Sequence, residues 1–235
     1  LRRSSAASDV YKRQDVTFSD GATSHIVLTG AADLTIHTGE SGEGDITIAP
    51  KILGTEGDGA TSTVTLDAGT GDIDLTEEIG GTGADDIGAV SLTGTSITLT
   101  DHITTSAGNI DVEGNTTIDA AVIIASTNGT VDFSGTISSK ASQDYDFTIN
   151  SGSGDVTLSD AVGAGTNGEV GAFKINAEAG DAEISIEDIA GAGLTVIGSP
   201  ATDKLTLTGT IYTTTDDAEY EGCLLYTSPS PRDPT

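Results

Sequence analysis

Hydrophobic and polar residues alternate along most of the chain with a period of two. In Asp72–Thr76, Ile73 and Leu75 share one side of an extended backbone, and the acidic and hydroxyl residues share the other. The same alternation recurs in the pairs Val64/Leu66, Val90/Leu92, Ile97/Leu99, Ile110/Val112 and Ile184/Ile186. Such alternation predicts short β-strands that bury one side, and no long stretch has the 3.6-residue period of an amphipathic helix.

The strands are separated by glycine-rich turns that repeat. Three units align as Gly-x-Gly-Asp followed by an alternating strand: Gly42–Ile48, Gly69–Leu75 and Gly152–Leu158. Looser relatives start at Gly108, Gly129 and Gly180, which makes an internal repeat with insertions of variable length. We expect the second glycine of each unit to adopt positive φ and the aspartate to hydrogen-bond within its own turn. Counting seven residues on from each aspartate gives Ile52, Ile79 and Val162, which we expect to belong to interior stacks.

The repeat and the alternation together predict an all-β fold, a right-handed parallel β-helix (β-solenoid). Parallel strands need a long return path, and a solenoid provides it because the rest of each turn acts as the crossover. The alternative is a string of antiparallel β-sandwich modules, which also show regularly spaced short strands. Sandwich cores are usually rich in aromatic residues, whereas this chain has no Trp, four Phe and five Tyr. This composition favours the solenoid.

The two ends of the chain read as translated sequencing adapter. Ser4–Gln14 back-translates into the adapter of transposase-based DNA libraries, and Cys223–Ser228 fits the same element read from the opposite strand. Segments of this origin are set aside before fold reasoning. We therefore expect residues 1–14 and 223–235 to be adapter-derived and disordered, and residues 15–222 to be the solenoid repeat fragment.

The chain is strongly acidic, with 37 Asp and Glu against nine Lys and Arg and a formal net charge of −28. Phosphate binding needs clustered basic residues, so the composition argues against nucleic acid and anionic membrane surfaces as partners. The longest apolar run, Ala120–Ala125, is too short to cross a bilayer. The balance favours a solvated extracellular surface or divalent cation binding.

Candidate chemistry is sparse. The aspartates of the repeat, Asp45, Asp72 and Asp155, resemble calcium-binding nonapeptide repeats, but their spacing departs from that pattern. The candidate carboxylate pairs for a polysaccharide-cleaving enzyme are Asp85-Asp86, Glu77-Glu78 and Asp216-Asp217, with His102 after Asp101. The isolated histidines His25, His37 and His102 lack metal-ligand spacing, and there is no Gly-x-Ser-x-Gly motif. We therefore predict no catalytic, metal or cofactor-binding residue, with Ca²⁺ as the only ion left open.

The repeats resemble those of very large bacterial surface and secreted proteins. The unit Val64–Leu99 and the segment Lys204–Gly222 are similar to repeats of filamentous-haemagglutinin-type adhesins and autotransporter passenger domains. This resemblance implies a parallel β-helix, an extracellular or cell-surface location, and a non-catalytic structural or adhesive role. It implies neighbouring repeats of the same parent chain as partners, with host or biofilm glycans or proteins as further candidates. The alternative function is a fragment of a β-helical polysaccharide lyase or hydrolase.

Overall fold

A computed structural model describes residues 14–19, 23–38, 44–55, 61–81, 85, 87–163, 168–177, 182–198, 204–209, 212–214, 218–221 and 223–226. Short strands dominate these ranges. They are β1 (Val16–Phe18), β2 (His25–Val27), β3 (Leu34–His37), β4 (Ile46–Ile48), β5 (Lys51–Leu53), β6 (Thr63–Asp67), β7 (Asp72–Leu75), β8 (Ala89–Leu99), β9 (Ile103–Thr105), β10 (Ile110–Ile118), β11 (Val122–Ser126), β12 (Val131–Phe133), β13 (Ile137–Ser139), β14 (Phe147–Asn150), β15 (Val156–Leu158), β16 (Val170–Ala177), β17 (Glu183–Ile186), β18 (Ile189–Gly198), β19 (Lys204–Leu207), β20 (Tyr212–Thr214), β21 (Ala218–Glu221) and β22 (Cys223–Tyr226).

The strands stack in parallel on three faces of a solenoid. Face A contains β3, β6, the first half of β8, the first half of β10, β12, β15, β17, β19 and β22. Face B contains β1, β4, β7, the second halves of β8 and β10, and β13, and it continues through Val162 to the start of β18 and to β20. Face C contains β2, β5, β9, β11, β14, β16, β18 and β21. Every strand pair in the described ranges is parallel, which confirms the β-solenoid and excludes the sandwich alternative.

The interior is built from columns of aliphatic side chains that repeat at every turn. One column on face A runs through Leu34, Val64, Val90, Ile110, Val131, Val156, Ile184 and Leu205. A column on face C runs through Ile26, Ile52, Ile79, Ile103, Ile124, Ile149, Ile175 and Val196. Away from the first turn, most of these side chains are fully buried. The alternation seen in the sequence therefore gives the core directly, because each strand turns one side inward.

The aromatic part of the core is small and local. Phe133 meets Phe147 edge to face, with ring centroids 5.8 Å apart, and Phe147 stacks on Phe173 at 5.7 Å. All three rings are at most 1% exposed. Phe147 and Phe173 are register partners on β14 and β16.

The second glycine of each unit is required by close packing between turns, so the expectation of positive φ there is wrong. Gly69 and Gly152, the first glycines, have φ of 60° and 58°. Gly71 and Gly154 do not have positive φ, but a Cβ would lie 2.3 Å and 2.0 Å from a carbonyl oxygen of the preceding turn. The bends between two faces, here called corners, therefore need glycine at this position, because the backbones of stacked turns approach too closely for a side chain.

The aspartates of the repeat bridge successive turns, so the expectation of bonds within their own turn is also wrong. Oδ1 of Asp45 accepts the backbone N–H of Asp72 at 2.9 Å, and Oδ1 of Asp155 accepts that of Glu183 at 2.8 Å. Asn109 accepts the N–H of Thr130 in the same way at 3.1 Å. The corner carboxylate or amide thus holds the next turn at the point where regular strand pairing stops.

The prediction that Ile52, Ile79 and Val162 belong to interior stacks is confirmed, since each is at most 1% exposed, but they belong to two different stacks. Ile52 and Ile79 pair on face C, whereas Val162 pairs with Ile137 and Ile189 on face B. The reason is that the first two repeat units lead into face B, at β4 and β7, while the third leads into face A, at β15. The same Gly-x-Gly-Asp sequence therefore serves two different corners.

The C-terminal flank differs from the expectation of disorder over residues 223–235. Cys223–Tyr226 forms β22, which pairs in parallel with β19 in the register Lys204–Cys223 to Leu207–Tyr226. Residues 1–13 and 227–235 lie outside the described part of the chain. An open parallel edge offers backbone partners to any short extended segment, so β22 can add to β19 whatever the origin of its sequence. The adapter origin of both flanks stays a prediction.

Candidate functional site

A concave polar surface lies on face A. Its strands are β8, β10 and β12, which place Ser91, Asp111 and Asp132 level with one another. Thr93 and Glu113 form a second outward row two residues further along the strands. Together with Ser134, these side chains line a pocket of about 240 Å³, here called the acidic pocket. Strand alternation explains the arrangement, because the intervening residues point into the core.

The charge state of the acidic pocket is unusual. Burial raises the pKa of Asp132 above its ordinary value, and the nearby carboxylates of Asp111 and Glu113 raise it further. Oδ1 of Asp132 is buried and, among the described residues, has no hydrogen-bond partner. Residues paired across neighbouring strands lie about 4.8 Å apart, so Asp111 and Asp132 are close enough to disfavour double ionisation.

This pairing can support two kinds of chemistry. Two neighbouring carboxyl groups, one acting as general acid and the other as base or nucleophile, are the arrangement used for acid–base cleavage of a glycosidic bond. The same carboxylates with Ser91, Thr93 and Ser134 can instead accept and donate hydrogen bonds to the hydroxyl groups of a bound glycan. The described residues contain no group of three or more His, Cys, Asp or Glu side chains positioned to hold a metal ion.

The sequence did not single out the acidic pocket. Asp111, Glu113 and Asp132 are isolated along the chain and show no motif. A signal does exist, because the Gly108 and Gly129 units are one turn apart and aligning them brings Asp111 level with Asp132. The pocket can therefore be found from the sequence by aligning repeat units that begin at the same corner and lie one turn apart.

The calcium candidates are not brought together. Asp45 and Asp72 lie on successive turns at the corner that leads into face B, while Asp155 precedes face A. Asp15 continues the first of these columns and accepts the N–H of Asp45 at 3.1 Å. Three carboxylates in line are here joined through backbone N–H groups rather than converging on one point.

The carboxylate pairs and histidines are dispersed over the surface. Glu78 forms an ion pair with Lys51 on the preceding turn at 2.8 Å. Asp85 is exposed, whereas Asp86, Asp216 and Asp217 lie outside the described residues. His37 lies 2.8 Å from Asp67 on face A, and His25 is exposed on face C. Nδ1 of His102 accepts the Ile123 N–H at 3.2 Å and lies 3.4 Å from Oδ1 of Asp101.

Comparison of the chain with models of known families, with curated proteins and with solved structures finds no match. Within the described ranges, no helix has the length and hydropathy needed to span a bilayer.

Proposed function

We propose that this chain is a non-catalytic structural or adhesive repeat segment of a large exported bacterial surface protein. The observation that carries the proposal is the continuity of the three parallel stacks from β1 to β22. Each turn buries its aliphatic side chains against the next turn, so the fold extends along one axis by repetition.

The outward side chains support a role in projection and contact. Thr, Ser, Asp and Glu dominate the outward positions of faces A and B, and the net charge of −28 keeps such a rod solvated. Its partners in this proposal are neighbouring repeats of the parent chain, with glycans or proteins contacting the outward faces. The proposed location is extracellular or at the cell surface, without nucleic acid partners and without membrane insertion by this segment.

The test combines binding with turnover. The 235-residue chain is offered a panel of neutral and acidic polysaccharides, and both retention of the glycan and release of new chain ends are measured. We expect no turnover, with any retention weakened by Asp111→Asn or Glu113→Gln. Turnover that disappears in Asp132→Asn but persists in the exposed control Asp160→Asn would overturn the non-catalytic assignment.

The second candidate is a polysaccharide hydrolase or lyase, and the acidic pocket is the observation that favours it. A raised pKa at Asp132 beside Asp111 suits a general acid paired with a base or nucleophile. In that case the rate of glycan cleavage would fall as the pH rises through the pKa of Asp132, because the general acid must carry its proton.

A further inference from the structure

We propose that Asn128 is a site of self-modification, at which its side-chain amide reacts with the backbone of Gly129 and is lost as ammonia. The folded corner of the solenoid controls this reaction, and water is the only other reagent. The proposal does not depend on the proposed function, because it concerns the covalent integrity of one corner and not what the faces of the solenoid bind.

The reaction needs an asparagine followed by a residue without a side chain. The nitrogen of Gly129 forms a bond to Cγ of Asn128, the bond from Cγ to Nδ2 breaks, and the proton of the Gly129 N–H leaves with Nδ2 as ammonia. Water then opens the resulting cyclic imide at either carbonyl, which gives aspartate or isoaspartate. Of the six asparagines in the chain, Asn128 and Asn167 precede glycine. Glycine permits the approach of its nitrogen because it has no Cβ.

The two reacting residues lie in opposite environments. Asn128 is exposed at the corner before β12, and its Oδ1 accepts a hydrogen bond from Oγ of Ser153 on the next turn at 2.7 Å. Gly129 is buried, and its N–H donates to Oγ of Ser126 at 2.8 Å. Ser126 is 5% exposed, and its hydroxyl donates to the carbonyl of Gly108 at 3.1 Å. The nitrogen that has to attack is therefore held by a buried hydroxyl.

Packing between turns holds the same peptide group in place. A Cβ on Gly129 would lie 2.1 Å from the carbonyl oxygen of Gly108 on the preceding turn. A Cβ on Gly154, on the following turn, would lie 2.0 Å from the carbonyl oxygen of Gly129. The backbone has to rotate before the nitrogen can reach Cγ, and the turns on both sides leave no room for that rotation. The reaction therefore proceeds when this corner opens locally.

Isoaspartate at position 128 would weaken the contact between turns permanently. It adds one methylene to the main chain at a corner where Gly108 and Gly154 already pack against the peptide group, so the extra atoms crowd both neighbouring turns. Aspartate at the same position carries the same new charge but leaves the main chain unchanged in length. The two products therefore separate the effect of length from the effect of charge.

The first experiment follows conversion of Asn128 in the 235-residue chain by peptide mapping and mass spectrometry, at mildly alkaline pH, in native buffer and in urea. The mapping separates the product at residue 128 from one at Asn167, which lies outside the described residues. We expect fast conversion of Asn128 in urea and slow conversion in native buffer. Equal rates in the two buffers would overturn the control by the fold, and no product at residue 128 in urea would overturn the site itself.

The matched variants are Ser126→Ala and Ser126→Thr. Ser126→Ala removes the acceptor of the Gly129 N–H, so conversion in native buffer should be about fivefold faster, the factor that loss of one hydrogen bond brings to a local opening equilibrium. Thr105 is the register partner of Ser126 one turn earlier and is buried, so Ser126→Thr keeps the hydroxyl where threonine fits and should convert at the parent rate. Equal rates for the two variants would show that the Ser126 hydroxyl does not control the reaction.

Hydrogen exchange of the Gly129 amide tests the same control without a substitution. Exchange and conversion both require the N–H to leave Oγ of Ser126, so low concentrations of urea should raise both rates by the same factor. A conversion rate that does not follow the exchange rate would contradict the role of this hydrogen bond.

The consequence for stability is measured by urea unfolding of the isolated isoaspartate product, with Asn128→Asp as the control of equal charge. We expect the isoaspartate product to unfold at a lower urea concentration than Asn128→Asp, because only the former lengthens the main chain. The same midpoint for the two proteins would refute the argument from corner packing.

Discussion

Replacement of the corner glycine Gly71 by alanine should destabilise the protein strongly, although Gly71 has an ordinary backbone conformation. A Cβ at this position would lie 2.3 Å from the carbonyl oxygen of Gly44 and 2.7 Å from its carbon. Ordinary contacts of this kind begin at 3.4 Å, so the two turns must separate locally by about 1 Å.

The magnitude follows from what that separation breaks. Crowding of packed groups costs about 1–3 kcal/mol, and loss of the bond from the Asp72 N–H to Asp45 adds about 1 kcal/mol. Alanine offsets about 0.4–1 kcal/mol of this loss, because it reduces the conformational entropy of the unfolded chain. The net loss in the free energy of unfolding is about 1–3.6 kcal/mol, which lowers Tm by roughly 2–14 °C for a chain of this size.

The matched control is Gly94→Ala, one turn further along the same corner. There the nearest atom, the carbonyl oxygen of Gly71, is 3.1 Å from the added Cβ, and Gly94 also lacks positive φ. A shift of a few tenths of an ångström relieves this contact, so we expect a change of about 1 kcal/mol or less. Thermal and urea unfolding followed by circular dichroism, with hydrogen exchange on the flanking turns, measures both variants. If Gly71→Ala unfolds at the same midpoint as Gly94→Ala, the packing argument for the corner glycines is refuted.

Three further predictions concern the core, the corner carboxylates and pH. Phe147→Ala should lower the free energy of unfolding by about 3–5 kcal/mol because its ring is buried between two others, whereas replacement of the partly exposed Phe18 by Ala should lower it much less. Equal losses in urea unfolding would contradict this. Asp45→Ala should lower the free energy of unfolding by about 1 kcal/mol because the Asp72 N–H loses its acceptor. Asp45→Asn keeps an acceptor oxygen and should be neutral or stabilising. A loss for the Asn variant equal to that for the Ala variant would show that the charge, and not the hydrogen bond, matters. Burial raises the folded-state pKa of Asp132, so its proton is held more tightly in the folded protein and stability falls as the pH rises from 3.8 through the folded-state pKa. Asp132→Asn should therefore be more stable than the parent chain at pH 7 and equally stable below pH 3.8. A difference in stability that does not change with pH would refute the linkage.

The alternation of residue types was sufficient to predict most of the core. Residues such as Ile73, Leu75, Ile110 and Val112 are buried as expected, because a strand with one apolar side has a single way to bury it. The parallel solenoid also followed from the repeat, since no helical crossover was available to return the chain.

The unequal spacing of the repeat units conceals a change of corner that the sequence alone does not show. Most glycine-marked units are one turn apart, as from Gly108 to Gly129, but 37 residues separate Gly71 from Gly108. That interval is longer than a turn because the motif passes from the corner before face B to the corner before face A. A linear alignment superimposes the two corners, although Val162 lies on face B whereas Ile52 and Ile79 lie on face C.

The residue pattern thus specifies which side chains are interior, that the fold is all-β and that it repeats, since these depend on local alternation and on turn chemistry near each residue. The stacking of turns specifies the rest. It decides that position 71 requires glycine because the preceding turn lies too close for a Cβ, and not because its φ is positive. It also decides that Asp45 hydrogen-bonds to the next turn rather than to its own, and that Asp111 and Asp132 share a pocket. The physical reason is that each of these features joins residues a whole turn apart, and the register between turns is set by the variable insertions at the corners.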